Sequence, residues 1–458
     1  MRLPETLQEL VPGKRGRKPQ AIHPVRLVPT GFVAVIVIGT LLLSLPAATA
    51  TGKSAPFLTA LFTAVSATCV TGLVTVDTGT YWSAFGQGTI LLLIQIGGLG
   101  TLLVTTLLLM AVSDRLSLGS RLLVGAENRG VGLGSAEQRL RTALGYTLAV
   151  EASIALVLWL WWMVHHGLAP GDALWMAVFH SISAFNNAGF GLRPDSLIGW
   201  SGDPVVLLAL SSSVILGGIG LPVIAEIRHR VPRARWSVHT RLTIVGTLLL
   251  LAFGTAVTFL LERGPGNALH GLSPGGQVLN AFVHSVMLRT AGFNAIDMAA
   301  LSDASILAAC ILMVIGGGSV GTAGGIKVTT FMVIALLVAA ELRGHPDSVV
   351  MGRRLPASLQ REALTIATIA ALAVGLGCVV ILSDSGLPLR DVLFETSSAF
   401  ATVGLSTGIT AKLPPLSQLV IILLMFLGRV GPITLGAALA LRTQPTRARY
   451  PEERPIIG

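Results

Sequence analysis

The sequence has little charge, few aromatic residues and only three cysteines in 458 positions. Charged residues make up 12% and hydrophobic residues 52%, which excludes an ordinary soluble domain, where about a quarter of residues are charged. The cysteines Cys69, Cys310 and Cys378 are odd in number and far apart, which excludes a disulfide framework and leaves them as small packing residues. The composition therefore indicates an integral membrane protein.

The chain carries a net charge of +10, but its distribution argues against nucleic-acid binding. Of the 32 Lys and Arg residues, 24 lie in five stretches, which are 1–26, 113–142, 226–241, 341–361 and 442–458. Five others lie in the alternate connections, an asymmetry that follows the positive-inside rule. Both termini and the three internal basic loops are therefore predicted to be cytoplasmic. The basic N-terminal tail suits an anionic leaflet or a partner surface, and the sequence leaves this choice open.

Eight apolar runs are long enough to cross a membrane, which takes about 20 residues. They lie near 27–49, 88–112, 143–164, 204–225, 242–261, 304–340, 363–383 and 417–441. A shorter apolar stretch lies within each successive pair, at 57–68, 173–185, 277–288 and 391–401. About 12 residues cannot span the hydrocarbon core, so each short stretch is predicted to be a re-entrant segment.

The four short segments share one pattern. Each contains a Phe, at Phe62, Phe179, Phe282 or Phe394, that is followed ten residues later by Gly and then by a large apolar residue. The glycines are Gly72, Gly189, Gly292 and Gly404. Each following span has a glycine cluster that predicts a helix break, and the clusters begin at Gly97, Gly217, Gly316 and Gly428. Packing glycines alone would not explain the constant spacing from Phe to Gly.

The repeat predicts an all-α integral membrane fold. Four units, each a membrane helix, a pore loop and a second membrane helix, would surround a pseudo-fourfold central pore with eight spans. The predicted repeats cover 27–112, 140–225, 240–340 and 361–441, between an N-terminal tail at 1–26 and a C-terminal tail at 442–458.

Irregular backbone at membrane depth is tolerated where it lines water, and rings of its carbonyl oxygens can replace the hydration shell of a cation. The segments around the four glycines are therefore predicted to form an ion selectivity filter. The filter residues are Val70, Thr71, Gly72, Asn187, Ala188, Gly189, Thr290, Ala291, Gly292, Thr402, Val403 and Gly404.

These motifs and the run Gly316–Lys327 give the chain, over essentially its full length, a resemblance to the Trk/Ktr/HKT superfamily of potassium transporters. The resemblance implies potassium uptake across the bacterial cytoplasmic membrane, with K+ held at the filter strands of each subunit of a homodimer. It also implies regulation by a cytosolic KtrA-like nucleotide-binding ring, with no nucleotide on this chain. The resemblance further implies that glycine at all four filter positions favours K+ over Na+, although the sequence leaves Na+ open as an activating or coupling ion. The loop departs from the family pattern in lacking a Gly-Gly-Ser-Pro-Gly-type run.

A gate is predicted below the filter. The third inner span is too long and too rich in glycine for one straight helix, which predicts a mobile intramembrane loop or, alternatively, a static kink. Arg429 lies near the middle of the eighth span, where a guanidinium costs about 2.5–3.5 kcal/mol and would repel a passing cation, or would pair with a loop carbonyl. The predicted gate residues are Gly316, Gly317, Gly318, Ser319, Gly321, Thr322, Gly324, Gly325, Lys327 and Arg429. Lys327 would otherwise cap a helix or snorkel.

Two further charged residues are predicted to support the filter. Arg289 precedes Gly292 by three residues, and Glu395 directly follows Phe394 in the fourth short segment. Adjacent repeats would bring them together as a buried ion pair that fixes the shape of the filter.

Two other classes of protein fit the sequence less well. A secondary transporter with inverted repeats would need repeats of opposite topology and carboxylates at mid-membrane, and the sequence indicates that both are missing. A membrane enzyme would need a catalytic motif such as His-Glu-x-x-His or Gly-x-Ser-x-Gly, and the chain has neither. The sequence therefore predicts a transport protein that is not an enzyme, and it does not decide between passive flux and coupling to Na+.

Overall fold

The structure, a computed structural model, describes residues 24–114, 136–345 and 347–441 and is almost wholly helical there. The first predicted repeat contains α1 (Pro24–Leu43), α2 (Phe57–Thr68), the one-turn α3 (Thr78–Tyr81) and α4 (Ala84–Asp114). The second contains α5 (Ala136–His165), α6 (Pro170–Phe185), α7 (Pro204–Gly218) and α8 (Leu221–Arg228). The third contains α9 (Val238–Glu262), α10 (Pro274–Met287), α11 (Asp303–Val314) and α12 (Val328–Leu342). The fourth contains α13 (Ala357–Ser385), α14 (Leu389–Ala401) and α15 (Pro415–Leu441).

A small antiparallel hairpin joins the third and fourth repeats. Its strands are β1 (Val349–Val350) and β2 (Arg353–Arg354), with Val349 opposite Arg354 and Val350 opposite Arg353.

Several helices begin at side-chain caps that the sequence supplies. The Asp203 carboxylate accepts hydrogen bonds from the backbone N–H groups of Val205 at 3.0 Å and Val206 at 3.2 Å, at the start of α7. Ser237, Ser273 and Ser302 cap α9, α10 and α11 in the same way. Such caps satisfy amides that have no partner in the first helical turn.

Within the residues that the structure describes, three helices are each long and apolar enough to cross a membrane alone. These are Arg141–His165, Val238–Glu262 and Ala357–Ser385. Helices α7 and α8 together meet the same criterion but bend by 98° at their junction. All eight predicted spans coincide with a helix or an interrupted helix pair, namely α1, α4, α5, α7–α8, α9, α11–α12, α13 and α15.

Each short segment is a helix that packs against the first helix of its own repeat. The four pore helices are α2, α6, α10 and α14. The Phe that begins the shared pattern is fully buried in three of them, at Phe62, Phe179 and Phe394, and partly buried at Phe282. The apolar residue after each filter glycine is 1% exposed in every repeat, at Leu73, Phe190, Phe293 and Leu405. Both ends of each segment are thus anchored by apolar burial.

Four hydrophobic clusters lie at the four boundaries between repeats. One cluster joins Phe179 and Phe190 of the second repeat to first-repeat residues that include Leu43 and Ile94. A second cluster joins Leu251 and Phe293 of the third repeat to second-repeat residues around Trp162. Further clusters join the third repeat to the fourth around Phe394, and the fourth to the first around Phe62. The repeats therefore form a closed ring rather than an open row.

The prediction of a helix break in every inner span is correct in two repeats and wrong in two. The chain breaks at Gly218–Gly220 between α7 and α8, and over 315–327 between α11 and α12. Helix α4 continues through Gly97–Gly100, and α15 continues through Gly428. A Cβ on Gly97 would lie 2.0 Å from the carbonyl oxygen of Thr68, and one on Gly428 would lie 1.7 Å from that of Phe400. These glycines allow an inner helix to approach the end of a pore helix, which does not require a break.

Candidate ion filter and gate

The chain after each pore helix turns through two residues with positive φ. The first is a non-glycine residue, with φ of 56° at Val70, 59° at Asn187, 67° at Thr290 and 52° at Thr402. The second is the repeat glycine, with φ of 95°, 69°, 75° and 95° at Gly72, Gly189, Gly292 and Gly404. A positive φ costs L-residues about 1–2 kcal/mol, so the same strained backbone in all four repeats indicates a shared functional constraint.

The four glycines join the strands into a ring. A Cβ on Gly72 would lie 2.3 Å from the carbonyl oxygen of Ala188, and one on Gly189 would lie 2.8 Å from the Cα of Gly292. A Cβ on Gly292 would lie 2.4 Å from the carbonyl oxygen of Val403, and one on Gly404 would lie 2.1 Å from that of Thr71. Each strand thus contacts the next, and the fourth returns to the first.

The carbonyl oxygens of this ring are available for an ion. Thr71, Ala188, Ala291 and Val403 are all fully buried. Within the described part of the chain, no donor forms a hydrogen bond to any of these four carbonyl oxygens. A buried acceptor without a partner is costly, unless a cation or water completes it. The arrangement therefore suits a dehydrated cation on the axis.

The strands are held from behind in different ways. In the first and fourth repeats, a pore-helix serine hydroxyl accepts the amide hydrogen of the filter glycine, from Gly72 to Ser66 and from Gly404 to Ser398, both at 3.1 Å. The equivalent Ser183 hydroxyl of the second repeat has no partner among the described residues. The third repeat has Val286 at this position.

The glycine-rich loop between α11 and α12 docks on the break in the second repeat. The amide of Gly318 donates to the Gly218 carbonyl at 2.8 Å, and the amide of Thr322 donates to the Gly217 carbonyl at 3.2 Å. In return, the amide of Leu221 donates to the Val320 carbonyl at 3.1 Å. Backbone groups freed by both helix breaks therefore satisfy one another, which makes the two breaks a single unit.

The loop also lies against three filter strands. Thr322 Oγ1 lies 3.0 Å from the side-chain amide of Asn187 and donates to the Phe185 carbonyl at 3.1 Å. A Cβ on Gly324 would lie 1.9 Å from Thr402 Oγ1, and one on Gly316 would lie 3.4 Å from Thr290 Cγ2. The loop thus packs against the first residue of the second, third and fourth filter segments.

The remaining predicted gate residues lie in the same loop. Gly317, Gly321 and Gly325 pack against backbone, and a Cβ on Gly317 would also lie 2.6 Å from the Ala323 side chain. The Ser319 and Thr329 hydroxyls are 2.9 Å apart. The Lys327 ammonium donates to the Ala323 carbonyl within the loop, so its side chain ties the loop to α12 and does not extend away from it.

Arg429 fastens the loop from the opposite side. Its guanidinium is 2% exposed and donates to the Thr322 carbonyl of the loop. It also donates to the Gly97 carbonyl of the first repeat at 3.1 Å. The predicted alternatives for Arg429 are compatible, because pairing with a loop carbonyl is what places its charge beside the loop.

The predicted ion pair between Arg289 and Glu395 is not formed. Arg289 instead donates to the Gly316 carbonyl of its own repeat at 2.5 Å. Glu395 accepts hydrogen bonds from Ser406 at 2.7 Å and from Thr410, both in the segment after its own filter strand. Arg289 lies seven residues after the Phe of its segment, whereas Glu395 lies one residue after the Phe of its own. Six residues correspond to roughly 9 Å along a helix, so the two side chains lie at different depths and do not meet.

The expectation that carboxylates are missing at mid-membrane is wrong for Glu151. This residue lies in the middle of α5 and is 5% exposed. Its carboxylate accepts hydrogen bonds from Gln95 at 3.2 Å and from Asn186, the last residue before the second filter segment, at 3.1 Å. A single Glu within the apolar run 143–164 was the available signal, and only the fold shows that it faces a pore helix.

The family model described as TrkH, a cation transport protein, matches residues 12–445. The chain belongs to the TrkH cation transport family. It is 37% identical to the Ktr system potassium uptake protein B of Bacillus subtilis, over 95% of this chain and 97% of that protein. It is 33% identical to the potassium/sodium uptake protein NtpJ of Enterococcus hirae, over 97% and 99% of the two chains.

The fold is shared with a solved structure of this family. The crystal structure of the potassium transporter TrkH from Vibrio parahaemolyticus matches with a TM-score of 0.67 at 19% identity, over 91% of this chain and 85% of that one. The helical architecture and the membership in the TrkH family confirm the predicted resemblance, and the chain is a membrane transport protein.

Proposed function

We propose that this TrkH family protein moves K+ selectively across a membrane, in single file through the ring of four strands. The observation that carries the proposal is the closed contact between neighbouring strands, in which each glycine abuts the backbone of the next strand. Four buried carbonyl oxygens that have no partner among the described residues offer a site at which K+ can exchange its water shell. The predicted filter residues belong to this site, and the assignment to K+ is supported by the potassium uptake named for both relatives.

The described conformation corresponds to a closed gate. The loop at 315–327 packs against three filter segments, and Arg429 places a positive charge at the contact between that loop and the first repeat. A cation leaving the filter would meet both the loop and this charge. Opening then requires the loop to separate from the second-repeat break, which costs the three backbone hydrogen bonds between them.

Regulation and assembly complete the proposal. The Bacillus subtilis relative is a protein of the "Ktr system", a name that supports a cytosolic KtrA-like nucleotide-binding ring as the regulator of this chain. The proposed assembly is a homodimer in the bacterial cytoplasmic membrane, with one pore in each subunit and both termini cytoplasmic. The proposed repeats are 27–112, 140–225, 240–340 and 361–441; most of both predicted tails, 1–26 and 442–458, lies outside the described residues.

An alternative keeps the same pore but adds sodium. The name of the Enterococcus hirae relative joins potassium and sodium, which favours Na+ as a coupling or activating ion or as a second transported ion. Uptake of radioactive Rb+ into proteoliposomes, with K+ and Na+ as competitors and with or without the regulatory ring, distinguishes these functions. Competition by K+ at far lower concentration than by Na+ is expected. Equal competition, or a strict requirement for a Na+ gradient, would contradict passive K+ selectivity.

A further inference from the structure

The second filter strand lacks the serine hydroxyl bond that the first and fourth strands have, although the Ser183 carbonyl accepts the Ala188 amide hydrogen at 2.8 Å. Ser66 and Ser398 accept the amide hydrogens of their filter glycines, whereas the equivalent Ser183 hydroxyl has no partner in the described part of the chain. The adjacent filter strand of the third repeat begins directly after Arg289, whose guanidinium donates to the Gly316 carbonyl. A strand with strained backbone needs some other restraint to stay in one conformation.

A buried polar network supplies a restraint at the start of the second strand. Asn186 is the C-terminal cap of pore helix α6, and Asn187, with its φ of 59°, follows directly. The Asn186 amide donates to the Glu151 carboxylate at 3.1 Å and to the Gln95 side-chain oxygen at 2.8 Å. Gln95 donates to the same carboxylate at 3.2 Å. The network thereby joins α4, α5 and the end of α6.

The contacts around this network transmit its position to the pore. A Cβ on Gly98 would lie 1.9 Å from Asn186 Oδ1, so the inner helix of the first repeat closes the network on one side. The adjacent Gly97 carbonyl accepts a hydrogen bond from Arg429. On the other side, the Ser181 hydroxyl of α6 donates to the Glu151 backbone carbonyl at 2.6 Å. A shift of Asn186 would therefore move the filter strand and the surroundings of the gate together.

We propose that Glu151 is a positioning residue for ion selectivity, which holds the second filter strand through Asn186. This inference rests on the proposed K+ transport. A carboxylate suits the position because it accepts hydrogen bonds from both amides and has no hydrogen of its own to oppose them. Glutamine has nearly the same shape, but its amide would face the donors of Gln95 and Asn186, and the network would have to rearrange.

The test is Rb+ uptake with Na+ as competitor, for Glu151→Gln in full-length protein in proteoliposomes. We expect the preference for K+ over Na+ to fall about tenfold, in the lower part of the range for a buried donor without a partner. The KM for Rb+ should rise while the maximal rate per folded protein changes less. The double variant Gln95→Glu/Glu151→Gln exchanges carboxylate and amide within the network, and because Asn186 already donates to both positions, it should recover most of the selectivity.

A matched control is Glu262→Gln. Glu262 is also buried, at the end of the first helix of the third repeat. Its carboxylate accepts hydrogen bonds from Ser302 and Ala268 and, among the described residues, from no pore helix. It should leave selectivity unchanged. Glu151→Asp keeps the charge with one methylene fewer and should shift selectivity in the same direction by about threefold, which provides a second test if Glu151→Gln folds poorly.

Rb+ uptake by the wild-type protein tests the proposed K+ transport. The K+ selectivity of each variant relative to the wild type tests the role of Glu151, so the two proposals can fail separately. Unchanged selectivity and KM in folded Glu151→Gln or Glu151→Asp would overturn the positioning role. An equal loss of maximal rate in the Glu151 and Glu262 variants, with selectivity intact and no rescue by the exchange, would also overturn it, because it would show only general destabilisation.

Discussion

Replacement of Gly404 by Ala tests the contact between the fourth and first filter strands. The new Cβ would lie 2.1 Å from the carbonyl oxygen of Thr71, whereas real contacts essentially never fall below 3.0 Å. The obstacle is backbone and cannot rotate aside, so the Thr71 carbonyl has to retreat by about 0.9 Å, the difference between these two distances. The substitution therefore changes the ring itself.

The cost can be estimated from electrostatics. If a carbonyl oxygen with about half a charge retreats from about 2.8 to about 3.7 Å, a monovalent cation loses about 0.7 kcal/mol at an effective dielectric constant of about 20. Two strands deform, so we expect K+ binding to weaken by about 1–2 kcal/mol, or roughly five- to thirtyfold. The preference for K+ over Na+ should fall by up to this factor, because the carbonyl ring no longer has the geometry that replaces the water shell of K+. The positive φ of 95° adds backbone strain of about 1–2 kcal/mol that affects folding and not selectivity.

Gly408→Ala separates strain from contact. Gly408 has φ of 91°, close to that of Gly404, but a Cβ there would have nothing within 4 Å. Rb+ uptake with Na+ competition, together with thermal unfolding in detergent, should show that both variants lose stability and that only Gly404→Ala loses selectivity. The reasoning would be refuted by normal selectivity in Gly404→Ala, or by equal loss in both variants.

Two further predictions concern the gate. Arg429→Ala should raise Rb+ uptake in the absence of the activating partner by roughly thirtyfold, because a cation at ~8 Å from the guanidinium is repelled by about 2 kcal/mol at an effective dielectric constant of about 20. Unchanged uptake by folded protein would contradict a gating role. Deletion of Gly317–Thr322 removes the backbone hydrogen bonds that hold the loop on the second repeat. Rb+ uptake measured with and without the regulatory ring should then be the same. Intact regulation would show that the break is a static kink.

Local composition and spacing determined the four pore helices and the filter segments. A run of about 12 apolar residues is too short to cross a membrane in any fold, and a glycine at a fixed distance from a buried Phe predicts a turn with positive φ whatever surrounds it. All four glycines have that conformation. The gate residues from Gly316 to Lys327 were likewise predictable as an interruption, because no straight helix accommodates such a glycine run.

The partners of the buried charged residues could not be predicted from the sequence. Arg289 and Glu395 were expected to pair because both flank filter strands, yet each finds its partners within its own repeat, at a different depth. Sequence analysis predicted no mid-membrane carboxylate and so missed Glu151, whose contacts depend on the convergence of α4, α5 and α6. Gly97 and Gly428 do not break their helices. Each allows its helix to approach a carbonyl oxygen of a pore helix, and only the tertiary structure shows which carbonyl lies opposite.

The sequence by itself determined that the four filter segments and the glycine run at 315–327 are irregular, because backbone conformation depends on neighbours in the chain. Only the tertiary structure decided what those segments touch: the loop at 315–327 rests on the second-repeat break, and Arg429 closes it from the fourth repeat. Charged and polar side chains inside a membrane protein must find partners wherever the fold supplies them, and those partners lie up to hundreds of residues away.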